Sequence, residues 1–383
     1  MKNNPTLLRR LPFFLFMLAL CFPLCYQFSE LYWVEGLKGY QAAPERVDVT
    51  WENLKMGRYQ DYAEQRLLHE LRLKPFFIRL DNELRYQLFG EFTLPDISQG
   101  REGWLYNPQS IEVWKGEDRL NLPSLEEKME GLAHSIEKLR QNQGPELLFL
   151  LAPSKAAVYP EYLPENVGRV RDSLSSYYSF IRLIRKYNIP HLDTYPLFLE
   201  WKKQASNHAF TKGGVHWSQQ ASYEVWDTLY RRVEEMTCLD LPDYSYGEPV
   251  HTQRPNERDR DLADAANLLF SSLVEETYVY PKVEVEESGE RPKVLVIGDS
   301  FFWNFHRDRL PHRFFSENFI FWYYFQKAYG LGENYWTEAE EIPDFSQKIE
   351  ESDLILFVVN ITNFQSCCWG SIEELNRIVG KEK

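Results

Sequence analysis

The sequence predicts an α/β fold: a mainly parallel sheet with helices on both faces, preceded by a membrane anchor and a helical leader. Three observations point there. Short runs that are apolar at nearly every position alternate with stretches whose apolar residues recur every three or four. That is how strands buried on both faces alternate with covering helices. The chain has 383 residues, 44% of them apolar, enough for one large domain and an appendage. Before all this stands one longer apolar run with basic residues only on its N-terminal side.

That run, Leu11 to Phe28, follows Lys2, Arg9 and Arg10. Leu31, Tyr32 and Trp33 extend it, with Trp33 suited to an interface. No small-residue cleavage site follows, so an uncleaved signal anchor is expected over residues 1–34. Basic residues ahead of the run place the N-terminus in the cytoplasm and the main domain on the periplasmic or extracellular side. A net charge of −14 excludes the basic face a nucleic-acid partner requires. Cys21 and Cys25 fall in the anchor. Cys238, Cys367 and Cys368 form no disulfide framework, and neither they nor His208 and His216 have ligand spacing. No metal and no cofactor are expected.

A helical leader is expected over residues 35–124. Tyr62, Leu67, Leu68 and Leu71, then Phe76, Phe77, Leu80, Leu84 and Leu88, recur at helical spacing. Pro75 divides them into two helices, and Gly90 ends the second. REGWLYNP (Arg101–Pro108) reads as a short strand closed by a turn.

The main domain is expected from 125 to 383. Ser124–Gln143 opens with a capping pattern and is helical. ELLFLLAP (Glu146–Pro153) is a buried strand, Ser173–Tyr187 a helix, and IPHLDTYP (Ile189–Pro196) a second strand. Helices follow at Ser218–Met236 and Asp261–Leu273. KVLVIGDS (Lys293–Ser300), NFIFWYY (Asn318–Tyr324) and DLILFVVNITN (Asp353–Asn363) are three more strands, and Ser371–Val379 is a closing helix. Residues 239–260 and 284–291, polar and rich in turn formers, read as irregular.

Chemistry concentrates at two places. A strand that ends on Gly298-Asp299-Ser300 can present a serine nucleophile at the sheet's C-terminal edge, or simply cap the next helix. A nucleophilic serine needs a base. His216, in GGVHWS just before a helix, is placed for that role, or packs structurally on Trp217.

Taken in order, these blocks resemble the SGNH hydrolase superfamily in circularly permuted order, the arrangement of the SGNH-like domain of the alginate O-acetyltransferase family. GGVHWS resembles the histidine loop, IGDSF the nucleophile strand and VVNITN the strand ending in the asparagine block. APSKAAVYPEYLP (Ala152–Pro164) is similar to that family's Pro-x-Lys…Val-Tyr-Pro stretch. FIRLDNELRYQLFG and REGWLYN look like its leader, and DRDLADAANLLF (Asp259–Phe270) like its Asp-Leu…Asn-Leu segment. The resemblance implies Ser300 as nucleophile and His216 as base. It implies an oxyanion hole from the Ser300 N–H with Asn363, preferred, or Asn360. Lys155, Tyr159 and Trp217 are candidates for the substrate groove, and Phe301–Trp303 with Trp217 for a sugar platform.

One departure stands out. The family places an aspartate two or three residues before the histidine, where this chain has Gly214 and Gly213. Asp193, at the end of the second strand, is the expected substitute; otherwise the site is a Ser–His dyad or inactive. The function implied is O-acetyl transfer through a serine ester to an exported polysaccharide. The donor partner implied is a membrane-bound O-acyltransferase. A carbohydrate esterase and a non-catalytic glycan-binding accessory of an acetylation complex are the alternatives.

Overall fold

The computed structural model describes residues 5–29, 34–39, 43–167, 174–204, 209–270, 272–331, 336–338 and 343–381. Leu31–Trp33 of the expected anchor, and His208, lie outside them. The chain divides into two compact units, residues 1–94 with 264–272, and residues 95–263 with 273–383.

In the first unit, the helix Pro5–Gln27 contains a stretch, Arg10–Gln27, long and apolar enough to cross a membrane by length and composition. The helices Arg58–Glu70 and Lys74–Phe89 follow, with Pro75 in the first turn of the second and Gly90 (φ 67°) ending it. Segment 264–272 joins this unit through polar contacts that hydrophobic periodicity does not register. Asn82 Nδ2 donates to the carbonyls of Ala266 (3.0 Å) and Asn267 (3.3 Å), and Glu83 accepts from the N–H groups of Leu269 (3.2 Å) and Phe270 (3.1 Å).

The second unit starts at residue 95, well before the expected boundary at 124. A small ribbon explains why. Strands β1 (Ser98–Gln99) and β2 (Leu105–Tyr106) pair antiparallel. Leu105 N–H donates to the Lys212 carbonyl at 2.9 Å, and the Tyr106 hydroxyl to the Tyr159 carbonyl at 2.7 Å. Both partners lie in the main domain.

The main sheet is built from β3 (Glu146–Ala152), β4 (His191–Asp193), β7 (Val294–Gly298), β8 (Ile320–Tyr323), β9 (Lys327–Leu331), β10 (Trp336–Glu338) and β11 (Leu354–Asn360), in the order β10-β9-β8-β7-β11-β3-β4. From β8 to β4 every pairing is parallel; β9 and β10 add an antiparallel edge. β4 is shorter than expected because Asp193 turns the chain, capping the helix Thr194–Lys203.

Alternate side chains of each strand go to opposite faces. Leu148, Val296, Leu356 and Val358 pack with Trp226, Leu229 and Val233 of the helix Gln219–Thr237 on one face. Phe149, Ile297, Phe357 and Val359 pack on the other with the helices Leu122–Gln141, Ser175–Lys186 and Ser371–Lys381. Between β4 and β7 in sequence, β5 (Tyr244–Thr252) and β6 (Tyr278–Val285) form a separate antiparallel hairpin. β5 lies in the stretch expected to be irregular. Gly247, Pro249 and a register shift between Gly247 and Val250 break its alternation, as bulged edge strands do.

Candidate active site

β7 delivers the serine. Its last residue, Gly298, lies so close to β11 that a Cβ there would sit 3.0 Å from the Val358 side chain and 3.1 Å from its carbonyl oxygen. A side chain there would press β11 away by a few tenths of an ångström, and Asp299 follows at the strand's end. Asp299 is completely buried and acts as a hub. One oxygen accepts from Phe301 N–H (3.0 Å); the other accepts from Asn360 N–H (2.6 Å) and Asn363 Nδ2 (2.8 Å). Burial pushes its pKa up and these three donors pull it back. Ser300 then opens a short 3₁₀ turn at the C-terminal edge of the sheet.

His216 meets it there. Nε2 lies 2.8 Å from Ser300 Oγ, across 84 residues of sequence. The ring is 4% exposed and tilts against Phe301, centroids 4.9 Å apart. The other ring nitrogen, Nδ1, lies 2.7 Å from Asp261 Oδ2. Asp261 Oδ1 accepts from Val215 N–H at 2.7 Å and from Leu262 N–H at 2.9 Å, so both carboxylate oxygens are oriented.

The carboxylate on the imidazole is therefore Asp261, not Asp193. Asp193 is engaged elsewhere. It caps a helix by accepting from Tyr195 N–H (3.2 Å) and takes the Tyr177 hydroxyl at 2.6 Å. The paired glycines explain how an aspartate distant in sequence arrives. A Cβ on Gly214 would stand 2.7 Å from the Arg258 carbonyl oxygen and 2.7 Å from Thr211 Oγ1; one on Gly213 would press on Ala263 at 3.2 Å. Without side chains at 213 and 214, segment 258–263 packs directly on the histidine loop. The N–H groups of Leu262 and Ala263 both donate to the Gly213 carbonyl at 3.1 Å. The sequence signal was DRDLADAANLLF, in which Asp261 is one of three aspartates with no local mark to single it out.

Of the two oxyanion candidates, Asn360 has no amide hydrogen left over. Its Nδ2 donates to the carbonyls of Ala152 (3.1 Å) and Pro153 (2.9 Å), tying β11 to β3. Asn363 lies three residues beyond the strand, in the turn Ile361–Gly370, and one of its amide hydrogens goes to Asp299.

The groove candidates lie in the interior. Lys155 is 1% exposed, and its Nζ donates to the carbonyls of Leu105 (2.8 Å) and Lys212 (3.0 Å) beside the Trp104 and Tyr106 rings. Burial lowers its pKa to about 7, against the opposing pull of Asp261 and Glu276. Tyr159 is buried, its hydroxyl accepting from Ala209 N–H at 2.9 Å. Trp217 is fully buried among Phe198, Phe301 and Phe305, and Phe301 and Phe302 are buried too, so of the expected sugar platform only Trp303 is partly exposed. Each of these residues follows a strand end or a loop, where sequence alone does not separate rim from interior.

A residue the sequence did not mark completes the cluster. Tyr324 N–H donates to the Gly298 carbonyl at 2.9 Å, and the Tyr324 pKa is raised by burial and pulled back by the Ser300 side chain. It and Phe325 form the turn between β8 and β9, both with positive φ (50° and 54°). Aromatic residues pay a steric cost in that conformation, and such outliers cluster at functional sites. Among the described residues no group of three or more His, Cys, Asp or Glu is arranged to hold a metal ion.

The model of the family described as SGNH hydrolase-like domain, acetyltransferase AlgX, matches residues 97–307. The probable alginate O-acetylase AlgJ of Pseudomonas aeruginosa is 26% identical over 228 residues, 59% of this chain and 54% of that protein. Its namesake in Pseudomonas fluorescens is 24% identical over 242 residues, 62% of this chain and 58% of that one. The chain thus spans little more than half the length of these relatives. Among solved structures, the O-acetyltransferase domain of Pseudomonas putida AlgJ superposes with a TM-score of 0.47 at 15% identity, covering 74% of this chain and 99% of that one. Pseudomonas aeruginosa AlgX superposes with a TM-score of 0.48 at 13% identity, covering 74% and 67%.

Proposed function

We propose that this chain, which belongs to the family of SGNH hydrolase-like domains of acetyltransferase AlgX, is a serine-dependent O-acetyltransferase acting on an exported polysaccharide. The observation that carries the reading is the continuous hydrogen-bonded line Ser300–His216–Asp261.

The chemistry follows from it. Ser300 Oγ attacks the acetyl carbonyl of the donor while His216 Nε2 takes its proton. Asp261 holds the Nδ1–H tautomer and stabilises the imidazolium, as the acid of a serine triad does. The Ser300 N–H and the Asn363 amide receive the developing oxyanion. The leaving group departs with the proton from His216, and Ser300 is left as an acetyl ester. A sugar hydroxyl, deprotonated by His216, then attacks that ester. The acetyl group passes to the sugar oxygen as the bond to Ser300 Oγ breaks, and Ser300 regains its proton through His216.

The helix Pro5–Gln27 anchors the chain in a membrane, with the catalytic unit on the periplasmic or extracellular side. A membrane-bound O-acyltransferase supplies the acetyl group. Two measurements on the full chain test this. A fluorophosphonate should label wild type and not Ser300→Ala. A pseudo-substrate acetyl ester given with oligosaccharide should yield acetylated sugar. Free acetate alone would make the protein an esterase, and an unlabelled folded wild type would make it a non-catalytic accessory.

A further inference from the structure

The helix Gln219–Thr237 begins three residues after His216, and one of its faces leads away from the triad. Gln220, Tyr223, Glu224 and Asp227 share that face at helical spacing, over roughly 10 Å of helix. The β5–β6 hairpin roofs it, bringing Tyr246, Gly247, Pro249, Val279 and Pro281 opposite. Between them lies a cavity of about 200 Å³. A smaller one of about 80 Å³, lined by Thr211, Ser218, Gln219, Asp259 and Glu276 among others, shares Gln220 and Val279 with it and continues toward the histidine loop. Neither cavity belongs to the sequence-derived groove of Lys155, Tyr159 and Trp217.

The lining has a definite chemistry. Tyr223 and Tyr246 set their rings 5.9 Å apart at 59°, and Tyr246 is 43% exposed, so an aromatic face is open to a ligand. The Asp227 carboxylate fixes both hairpin tyrosines, accepting from Tyr244 OH at 2.6 Å and from Tyr246 OH. Burial and the neighbouring Asp227 raise the pKa of Glu224. Asp227, Glu224, Asp259 and Glu276 line the two cavities, and neither lysine nor arginine does.

We infer that this groove is the acceptor subsite of the transferase and takes a glycan built of uncharged sugars, not of uronates. The inference rests on the acetyl-transfer reading for the presence of a glycan acceptor. Aromatic and proline faces pack on the C–H faces of sugar rings, and the Gln220 amide and the carboxylates receive sugar hydroxyls. A uronate would bring its own carboxylate against Glu224 and Asp227, where the lining supplies no cation and Arg231 stands one helical turn beyond Asp227 beside Tyr244, and like charges brought together in a partly desolvated site are disfavoured.

The test is binding of the full chain in detergent to an array of neutral and uronate-rich oligosaccharides, with Tyr246→Ala and Glu224→Lys beside wild type. Neutral oligosaccharides should bind wild type, uronates should not, and Tyr246→Ala should weaken neutral binding by roughly tenfold. Glu224→Lys should gain uronate binding, an outcome that misfolding does not produce. A wild type that prefers uronates, binds no oligosaccharide, or binds neutral ones undiminished in Tyr246→Ala overturns the inference. Fluorophosphonate labelling of Ser300 in wild type is read separately. If it fails, the acetyl-transfer reading fails whatever the array shows; if it succeeds while the array fails, only the acceptor assignment falls.

Discussion

His216 Nδ1 and Asp261 Oδ2 stand 2.7 Å apart although 45 residues of chain separate them. In this geometry the aspartate accepts a hydrogen bond from Nδ1–H and leaves Nε2 as the acceptor facing Ser300. Replacing Asp261 by Asn keeps the shape and reverses the tautomer preference. Turnover of an acetyl-ester pseudo-substrate by Asp261→Asn should fall by about 10⁴, the loss known for a serine triad without its acid. Asp193→Asn retains a capping side chain and should stay within a few-fold of wild type. Equal losses in the two variants would remove Asp261 from its assigned place.

The glycine pair is the condition for that contact. Gly214→Ala puts a methyl 2.7 Å from the Arg258 carbonyl, a backbone atom with little freedom to retreat. The expected cost is about 1–3 kcal/mol of stability, typical of overpacking. The denaturant midpoint reads it, and pseudo-substrate turnover should fall with it as the Asp261 segment is pushed off the histidine loop. An unchanged midpoint would show that the two segments are not in close contact.

Lys155 links stability to pH. Its folded pKa is lowered by burial to about 7, whereas an unfolded lysine titrates near 10.4. Between those values the unfolded chain binds more protons than the folded one, so stability should rise as pH increases from about 7 toward 10. Below about 7 both states are protonated and the contribution is flat. Chemical denaturation of wild type and Lys155→Met across this range should show the rise in wild type only. Parallel curves would mean that the ammonium is not held in the interior.

Tyr324 sits against the end of the nucleophile's strand, in a turn in the left-handed region, and the Ser300 side chain pulls its burial-raised pKa back. Tyr324→Phe preserves the ring against Trp369, whose centroid lies 4.9 Å away, and removes only the hydroxyl. Turnover should drop by roughly tenfold, the scale of one hydrogen bond of about 1 kcal/mol or somewhat more, with the melting temperature nearly unchanged. If the rate holds and the melting temperature falls, the hydroxyl serves the fold instead.

Much of the architecture was legible because it is written locally. ELLFLLA, VLVIG and LILFVVN are apolar at successive positions, and a short run of that kind is stable only between two covered faces. Serine at 218, followed by a long amphipathic stretch, marked its helix for a similar reason: Ser218 accepts from Ala221 N–H at 3.1 Å. The hairpin β5–β6 was not legible, since Gly247, Pro249 and exposed side chains erase the alternation that identifies a strand.

That Ser300 and His216 would meet at one sheet edge was expected from the sequence and its family resemblance, and Nε2 lies 2.8 Å from Oγ. Which carboxylate backs the imidazole was not legible there. Local pattern reports how a segment folds against a generic interior, through periodicity, capping and turn chemistry. It carries no record of which of several similar aspartates closes a loop of tens of residues. That choice was made by close packing: two glycines opened a gap beside the histidine, and segment 258–263 filled it with Asp261 facing Nδ1. The same packing buried Lys155, Tyr159 and Trp217 and left the face of the helix Gln219–Thr237 lined by a cavity.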